Sequence, residues 1–194
     1  IFKYFLNEEE SNLSVARNRA IKKAQGQIIT ILDHDDWWKQ NKLKEQVKFF
    51  EKNDLDFVFT DYYQIYENLN KSRKIRSKIK GDFYSSIINN YNLGLNTFAF
   101  NANIFKKHCF DNDYHIIGDF SLIVEISKNI KWKRLSIPYS FYRIHNYNET
   151  NKNELLHIKE LKHWYQNKFR KIENNKKNKK KIINKITYIK FKSN

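Results

Sequence analysis

Gln27-Ile-Ile-Thr-Ile-Leu-Asp-His-Asp-Asp36 is a short apolar run, Ile28 to Leu32, that ends in three carboxylates, Asp33, Asp35 and Asp36. An uninterrupted apolar run of this length predicts a buried strand, of the kind found in parallel sheets. In open α/β sheets, ligands bind beyond the carboxyl ends of such strands. Carboxylates crowded within four residues repel one another, and a divalent cation relieves that repulsion: Mg²⁺ and Mn²⁺ take carboxylate oxygens and bridge to substrate phosphate. Asp residues before a helix also cap its free N–H groups and suit its dipole. A third reading, a nucleophilic Asp-x-Asp of phosphatase type, wants Thr or Val two residues on, and Trp37 and Trp38 follow instead.

Working outward, Ser14 to Gln25 predicts a helix with Val15, Ala20, Ile21 and Ala24 as its buried stripe and Gly26 as its stop. Strand, helix and strand joined by short links fit an α/β unit. Asn41 to Lys52 predicts a second helix with Leu43, Val47 and Phe50 on its inner face. Asp56–Tyr66 predicts a strand, Glu67–Gly81 a basic surface excursion and Phe83–Tyr91 a short helix. Asn96–Phe100 predicts a strand, Asn103–Lys107 a helical turn and Phe120–Lys128 a helix. Lys131–Ile137 and Tyr139–Ile144 predict strands joined at Pro138, and Glu154–Ile172 a further helix. No internal repeat interrupts the pattern.

The chain has 194 residues, enough for one domain with a real core, and 15 Phe, 12 Tyr and 4 Trp to build it. Four Gly and one Pro exclude a collagen-like or linker composition. The lone Cys109 excludes an internal disulfide and a Cys-based zinc site, and it fits a small core residue in a reducing compartment. A net charge of +16 points to polyanionic partners: nucleic acid, an anionic membrane face or phosphorylated substrates. Eleven Lys/Arg against one acid, Glu173, lie between Lys168 and Lys192, which predicts a solvated, partly frayed tail. No apolar run approaches the ~20 residues of a membrane span. No methionine is present, and Ile1-Phe-Lys-Tyr-Phe-Leu6 predicts a strand already inside a fold, so a missing natural N-terminus is expected.

The motifs then add up in order. Leu13-Ser-Val-Ala-Arg-Asn-Arg-Ala20, Gly26 and Ile31-Leu-Asp-His-Asp-Asp-Trp37 resemble the family 2 glycosyltransferases of the GT-A fold. Lys42-Leu-Lys-Glu-Gln46, Ile116-Ile-Gly-Asp-Phe-Ser-Leu122 and Tyr142-Arg-Ile-His-Asn-Tyr-Asn148 continue the resemblance over roughly residues 1–150. It implies an α/β fold, a mostly parallel Rossmann-like sheet flanked by helices. Residues 1–150 would form the GT-A domain without its N-terminal strands, and residues 151–194 a C-terminal helix and basic tail. The family's first strand and base-reading Asp would precede this chain, so its donor affinity is expected to be below that of an extended one.

The resemblance implies inverting transfer from a nucleotide-diphosphate sugar to a saccharide or lipid-linked saccharide, assisted by Mn²⁺ or Mg²⁺. Asp33 and Asp35 look like the metal and diphosphate site, with His145 as a further metal ligand. Arg17, Asn18 and Arg143 resemble donor-side residues, and Asp36 is read as the cap of the following helix. His34 occupies the variable position of the motif and is expected to point elsewhere. Asp119 matches the family's base, with Gly118 where the paired Glu often stands. Trp37 and Trp38 are candidates for an acceptor-side stacking face, or for packing of the next helix. The implied setting is cytoplasmic surface-polysaccharide assembly, the basic tail resting on the anionic inner face of the membrane. Two other classes compete: a basic nucleic-acid-binding module without catalysis, and an Asp-dependent metal phosphatase.

Overall fold

The structure is a computed structural model that describes residues 3–6 and 11–192. In chain order the elements are α1 (Leu13–Lys23), β1 (Ile28–Thr30), β2 (Trp37–Trp38), α2 (Lys42–Asn53), β3 (Phe57–Tyr66) and β4 (Lys71–Ile75). They continue through α3 (Phe83–Asn89), β5 (Ala99–Asn101), α4 (Gly118–Ile126) and β6 (Trp132–Ile144). The chain closes with α5 (Glu149–Lys152), α6 (Glu154–Trp164), α7 (Arg170–Ile172) and α8 (Lys176–Lys192). The sheet order is β1-β5-β3-β6-β2, with β4 paired to β3. This is the expected α/β class, helices flanking one sheet.

Parallel pairing is less extensive than expected. Among the described strands, β3 and β6 run parallel over their whole length, and the other pairs are antiparallel. The Ile28–Leu32 run is shorter and less enclosed than its composition predicts. It forms only three strand residues, antiparallel to β5 at the edge of the described sheet, and Leu32 is 42% exposed. Of the opening segment, residues 3–6 take no regular structure and Tyr4, Phe5 and Leu6 are exposed; Ile1 and Phe2 lie outside the described residues.

Phe57, Phe59, Phe98 and Phe100 pack against Phe83 and Trp132 at the centre of the core. Alternation along β3 fails because both of its faces are covered: Phe57 to Tyr62 are all buried. The two strands expected around Pro138 are one continuous strand. Pro138 stands opposite Asp61 at a break in register, where a residue without an N–H costs the ladder nothing. Arg134 holds the buried Asp61 carboxylate there through two bonds of 2.8 Å.

Two helix faces differ from expectation. In α1 the buried residue is Ser14, while Ala20 and Ala24 are exposed and Ile21 is only partly covered. Ala24 ends that helix by turning extended, and no left-handed Gly26 is needed. In α2 the inner stripe is Lys42, Gln46 and Phe50, and Leu43 is exposed. Lys42 is buried without a carboxylate: its ammonium donates to Gln46 Oε1 (2.8 Å) and lies 3.9 Å from the Trp38 ring centre. Burial pushes its pKa down to about 7. Gln46 in turn donates to the backbone carbonyls of Val58 and Thr97, locking α2 to the sheet.

The C-terminal segment is ordered in a different way from a solvated tail. Ile182 and Ile186 of α8 are buried in the main core beside Ile158, Leu161 and Trp164 of α6. Spacing of Asn178, Ile182 and Ile186 by four puts one buried face on α8 and leaves its lysines mostly outside. Cys109, expected in the core, is exposed.

Candidate active site

The β1 end, α1, the start of α4, the β6 end and α8 surround one cavity of about 540 Å³. Arg17, Asp33, His34, Asp35, Asp36, Asp119 and His145 all line it, so residues far apart in the chain meet at one place.

The four residues from Asp33 to Asp36 form a turn, closed by the Asp36 N–H donating to the Asp33 carbonyl (3.1 Å). That turn splays the three carboxylates to different partners. Asp33 accepts from the Arg17 guanidinium (3.1 and 3.3 Å). Asp35 Oδ2 lies 3.0 Å from His145 Nε2. Asp36 accepts from Asn96 Nδ2 (2.7 Å) and from the backbone N–H of Arg143 (3.0 Å). Asp36 therefore ties the turn to β6 and caps no helix; the N-cap of α2 is Asn41. Burial first, and then the charges of Asp35 and Asp33, raise Asp36 to about 7.

Asp119 stands in the first turn of α4, half-buried at the cavity wall. Its Oδ2 accepts from the Tyr91 hydroxyl at 2.8 Å. Burial raises its pKa, and the Tyr91 bond and the charge of Arg17 pull it back. The segment leading into α4 is held from outside: Glu160 of α6 accepts from the backbone N–H groups of His115 (2.7 Å), Ile116 (2.9 Å) and Ile117 (3.1 Å). Ile117, at the N-cap, has no side-chain acceptor of its own, so Glu160 supplies the negative charge that this helix end favours.

The other anticipated residues take different places. Asn18 faces away from the cavity and bonds the main chain of Phe110 in both directions (2.7 and 2.9 Å). Arg143 points its guanidinium at Glu67 (3.7 Å), on the side of β6 away from the cavity. Trp37 stacks on Phe141 at 5.2 Å, and Trp38 Nε1 donates to the Asn96 carbonyl (2.7 Å), so both indoles pack the turn onto β6 and neither lines the cavity. His34, expected to point elsewhere, is on the cavity wall.

Among the described residues no cluster of three or more His, Cys, Asp or Glu is preassembled around a metal position. The donor set is nevertheless suited to one. Asp35 and His145 bring an oxygen and a nitrogen together at the cavity edge, a pair that Mn²⁺ or Mg²⁺ accepts while taking its other ligands from phosphate and water.

Glycosyl transferase family 2 matches residues 1–126 of the chain. The chain belongs to this family. A putative teichuronic acid biosynthesis glycosyltransferase of Bacillus subtilis, TuaG, is 46% identical over 55 residues, 28% of this chain and 22% of that protein. The Escherichia coli protein WfaP, a UDP-Glc:α-D-GlcNAc-diphosphoundecaprenol β-1,3-glucosyltransferase, is 28% identical over 134 residues, 67% of this chain and 51% of its own length. Staphylococcus aureus TarS 1–349, crystallised with UDP-GlcNAc, superposes with a TM-score of 0.64 at 15% identity, covering 96% of this chain and 55% of TarS 1–349. The chain spans between about a fifth and about a half of the length of the curated relatives it matches.

Gly118, at the position where the resemblance leads one to expect Glu, has a local packing reason in this chain. A Cβ there falls far inside contact distance of Ser14 Oγ, which is fully buried and donates to the Tyr114 carbonyl. Gly118→Ala is expected to cost about 1–3 kcal/mol, because Ser14 must surrender that buried bond. In a Ser14→Ala background the new Cβ meets only Ser14 Cβ and Phe110, each at an ordinary 3.7 Å. There the same change is expected to be neutral or stabilising, since Ala is the better helix former by about 1 kcal/mol. Urea denaturation of the four proteins measures the coupling; additive costs would show that the two positions do not share the contact.

Proposed function

We propose that this chain carries the catalytic face of an inverting glycosyltransferase that moves a sugar from a UDP-sugar to a saccharide or lipid-linked saccharide. The observation that carries the reading is the convergence of Asp119 with Asp33, Asp35 and His145 on one cavity. In this reaction the acceptor hydroxyl gives its proton to Asp119 while its oxygen attacks the anomeric carbon. The bond to the diphosphate breaks on the opposite face, and the nucleoside diphosphate leaves. Asp35 and His145 would hold the divalent cation, which when bound stabilises the charge developing on the leaving diphosphate. Arg17 keeps Asp33 fixed and adds a positive charge to the same wall. A UDP-linked donor is favoured by TarS, crystallised with UDP-GlcNAc, and by the UDP-Glc in the name of WfaP.

Among the described residues no helix is long and apolar enough to cross a membrane. The exposed lysines of α8, such as Lys177 and Lys180, carry the charge for contact with anionic headgroups around a lipid-linked acceptor. Sedimentation with phosphatidylglycerol vesicles should fail when both are changed to Glu.

Thermal shift with UDP-, GDP-, CMP- and dTDP-sugars, with and without Mn²⁺, tests the donor assignment. Stabilisation is expected from the UDP class alone, to require Mn²⁺ and to vanish in Asp35→Asn. Stabilisation that survives Asp35→Asn, or that another nucleotide class produces in place of UDP, would overturn the assignment.

A further inference from the structure

The cavity contains a cation that the reaction outlined above does not use. Lys185 comes from α8, outside the matched family segment, and reaches the cavity wall. Its ammonium lies 4.5 Å from the ring centre of Phe120 and 5.9 Å from that of Tyr91, the two residues that flank Asp119. Among the described residues it has no carboxylate within ion-pair distance and no hydrogen-bond acceptor. Asp119 is near enough to act on it electrostatically, yet that carboxyl is already committed to the Tyr91 hydroxyl. His157 stands beside it on the same wall, held neutral at ordinary pH by burial and by the Lys185 charge.

An ammonium has three donors, and a half-buried one without an acceptor is costly. Two aromatic faces hold it in place, which fixes its position and leaves the N–H groups for something inside the cavity. The nucleotide's phosphates are assigned to Asp35 and His145, on a different element of the wall. What remains beside the base is the acceptor. We propose that Lys185 is an acceptor-specificity residue that binds an anionic group, a carboxylate or a phosphate, carried by the sugar acceptor. The proposal rests on the reading of Asp119 as the base, because that reading is what makes this end of the cavity the acceptor side. An acidic sugar anchored on Lys185 would be turned with a hydroxyl toward Asp119, and a neutral sugar would leave the ammonium unpaired.

The test is titration of the chain, without divalent metal, with glucuronate, glucose 1-phosphate and glucose, read by ligand-observed NMR. At least one of the two anionic sugars is expected to bind about tenfold more tightly than glucose, the worth of one charge-assisted hydrogen bond. Which of them gains distinguishes carboxylate from phosphate. The advantage should disappear in Lys185→Met and persist in Lys185→Arg. Equal binding of charged and neutral sugars, or an advantage that survives Lys185→Met, overturns the proposal. UDP titration with Mn²⁺, run on the same proteins, separates the two failures. UDP binding that requires Asp35 leaves the transferase reading standing when the anionic preference is absent, and absence of both removes both.

Discussion

Asp119→Asn is expected to lower the rate of sugar transfer by about 10²–10⁴-fold, the usual worth of a positioned general base. UDP affinity should be unchanged, because the proposed nucleotide site lies elsewhere on the cavity wall. The asparagine keeps the size of the side chain and its acceptance from Tyr91, so the loss isolates proton transfer. The pH profile carries a second check. Burial raises the Asp119 pKa above its ordinary 3.8, so the acidic limb of the transfer rate should lie above that value. Tyr91 donates to the carboxylate and draws its pKa down. Tyr91→Phe should therefore shift the acidic limb to higher pH, with the plateau rate less affected than the midpoint. Stability moves in the opposite sense. The folded state takes up the Asp119 proton more readily than the unfolded chain, so the wild type loses stability as pH rises from 3.8 through the raised pKa. Asp119→Asn escapes that loss and should be the more stable protein at neutral pH. A mutant with full transfer activity would remove Asp119 from the mechanism.

The chain made some of this legible and hid the rest for definite reasons. The Asp33–Asp36 cluster, Asp119 and His145 could be selected because short motifs fix their spacing, and the fold then brings them to one cavity. Asn18, Arg143, Trp37 and Trp38 sit in the same motifs yet face away from that cavity. A motif fixes backbone position, but on a strand or helix the neighbouring side chain points to another face. Tyr91 and Lys185 come from a helix end and from a lysine-rich stretch in which nothing local separates a cavity residue from a solvated one. For Lys185 a usable signal existed: Ile182 and Ile186 place a buried face on α8, and Lys185 adjoins it. The run Ile28–Leu32 misled in the other direction. Apolar composition reports what a strand can cover, while its pairing depends on which strand lies next to it, and here the described neighbour runs antiparallel.

Glu160 is the residue whose loss is expected to damage the fold most, and nothing in its local sequence announces it. It is 6% exposed, and its carboxylate accepts from three successive backbone N–H groups, those of His115, Ile116 and Ile117. Charge-assisted bonds of this kind contribute about 1.5–3 kcal/mol each, and a buried N–H left without an acceptor costs about 1–3 kcal/mol. These terms overlap, so Glu160→Ala is expected to lose about 3–5 kcal/mol in all. For a domain of this size that is a fall in Tm on the order of 10 °C. Glu160→Gln should lose much less. Its carbonyl oxygen can occupy the position of Oε2 and keep the bonds to Ile116 and Ile117, leaving only the His115 N–H facing an amide nitrogen. The consequence for function follows from position. These three amides lead directly into α4, whose second residue is Asp119. With the carboxylate gone, the first turn of α4 has no acceptor on its approach and Asp119 loses its fixed direction toward Tyr91. Hydrogen exchange should therefore speed up selectively at residues 115–120 in Glu160→Ala, at a temperature where the protein is still folded, and in Glu160→Gln chiefly at His115. Transfer should fall in Glu160→Ala while UDP binding holds. Uniform exchange across the chain would instead make Glu160 a general core residue with no particular hold on Asp119.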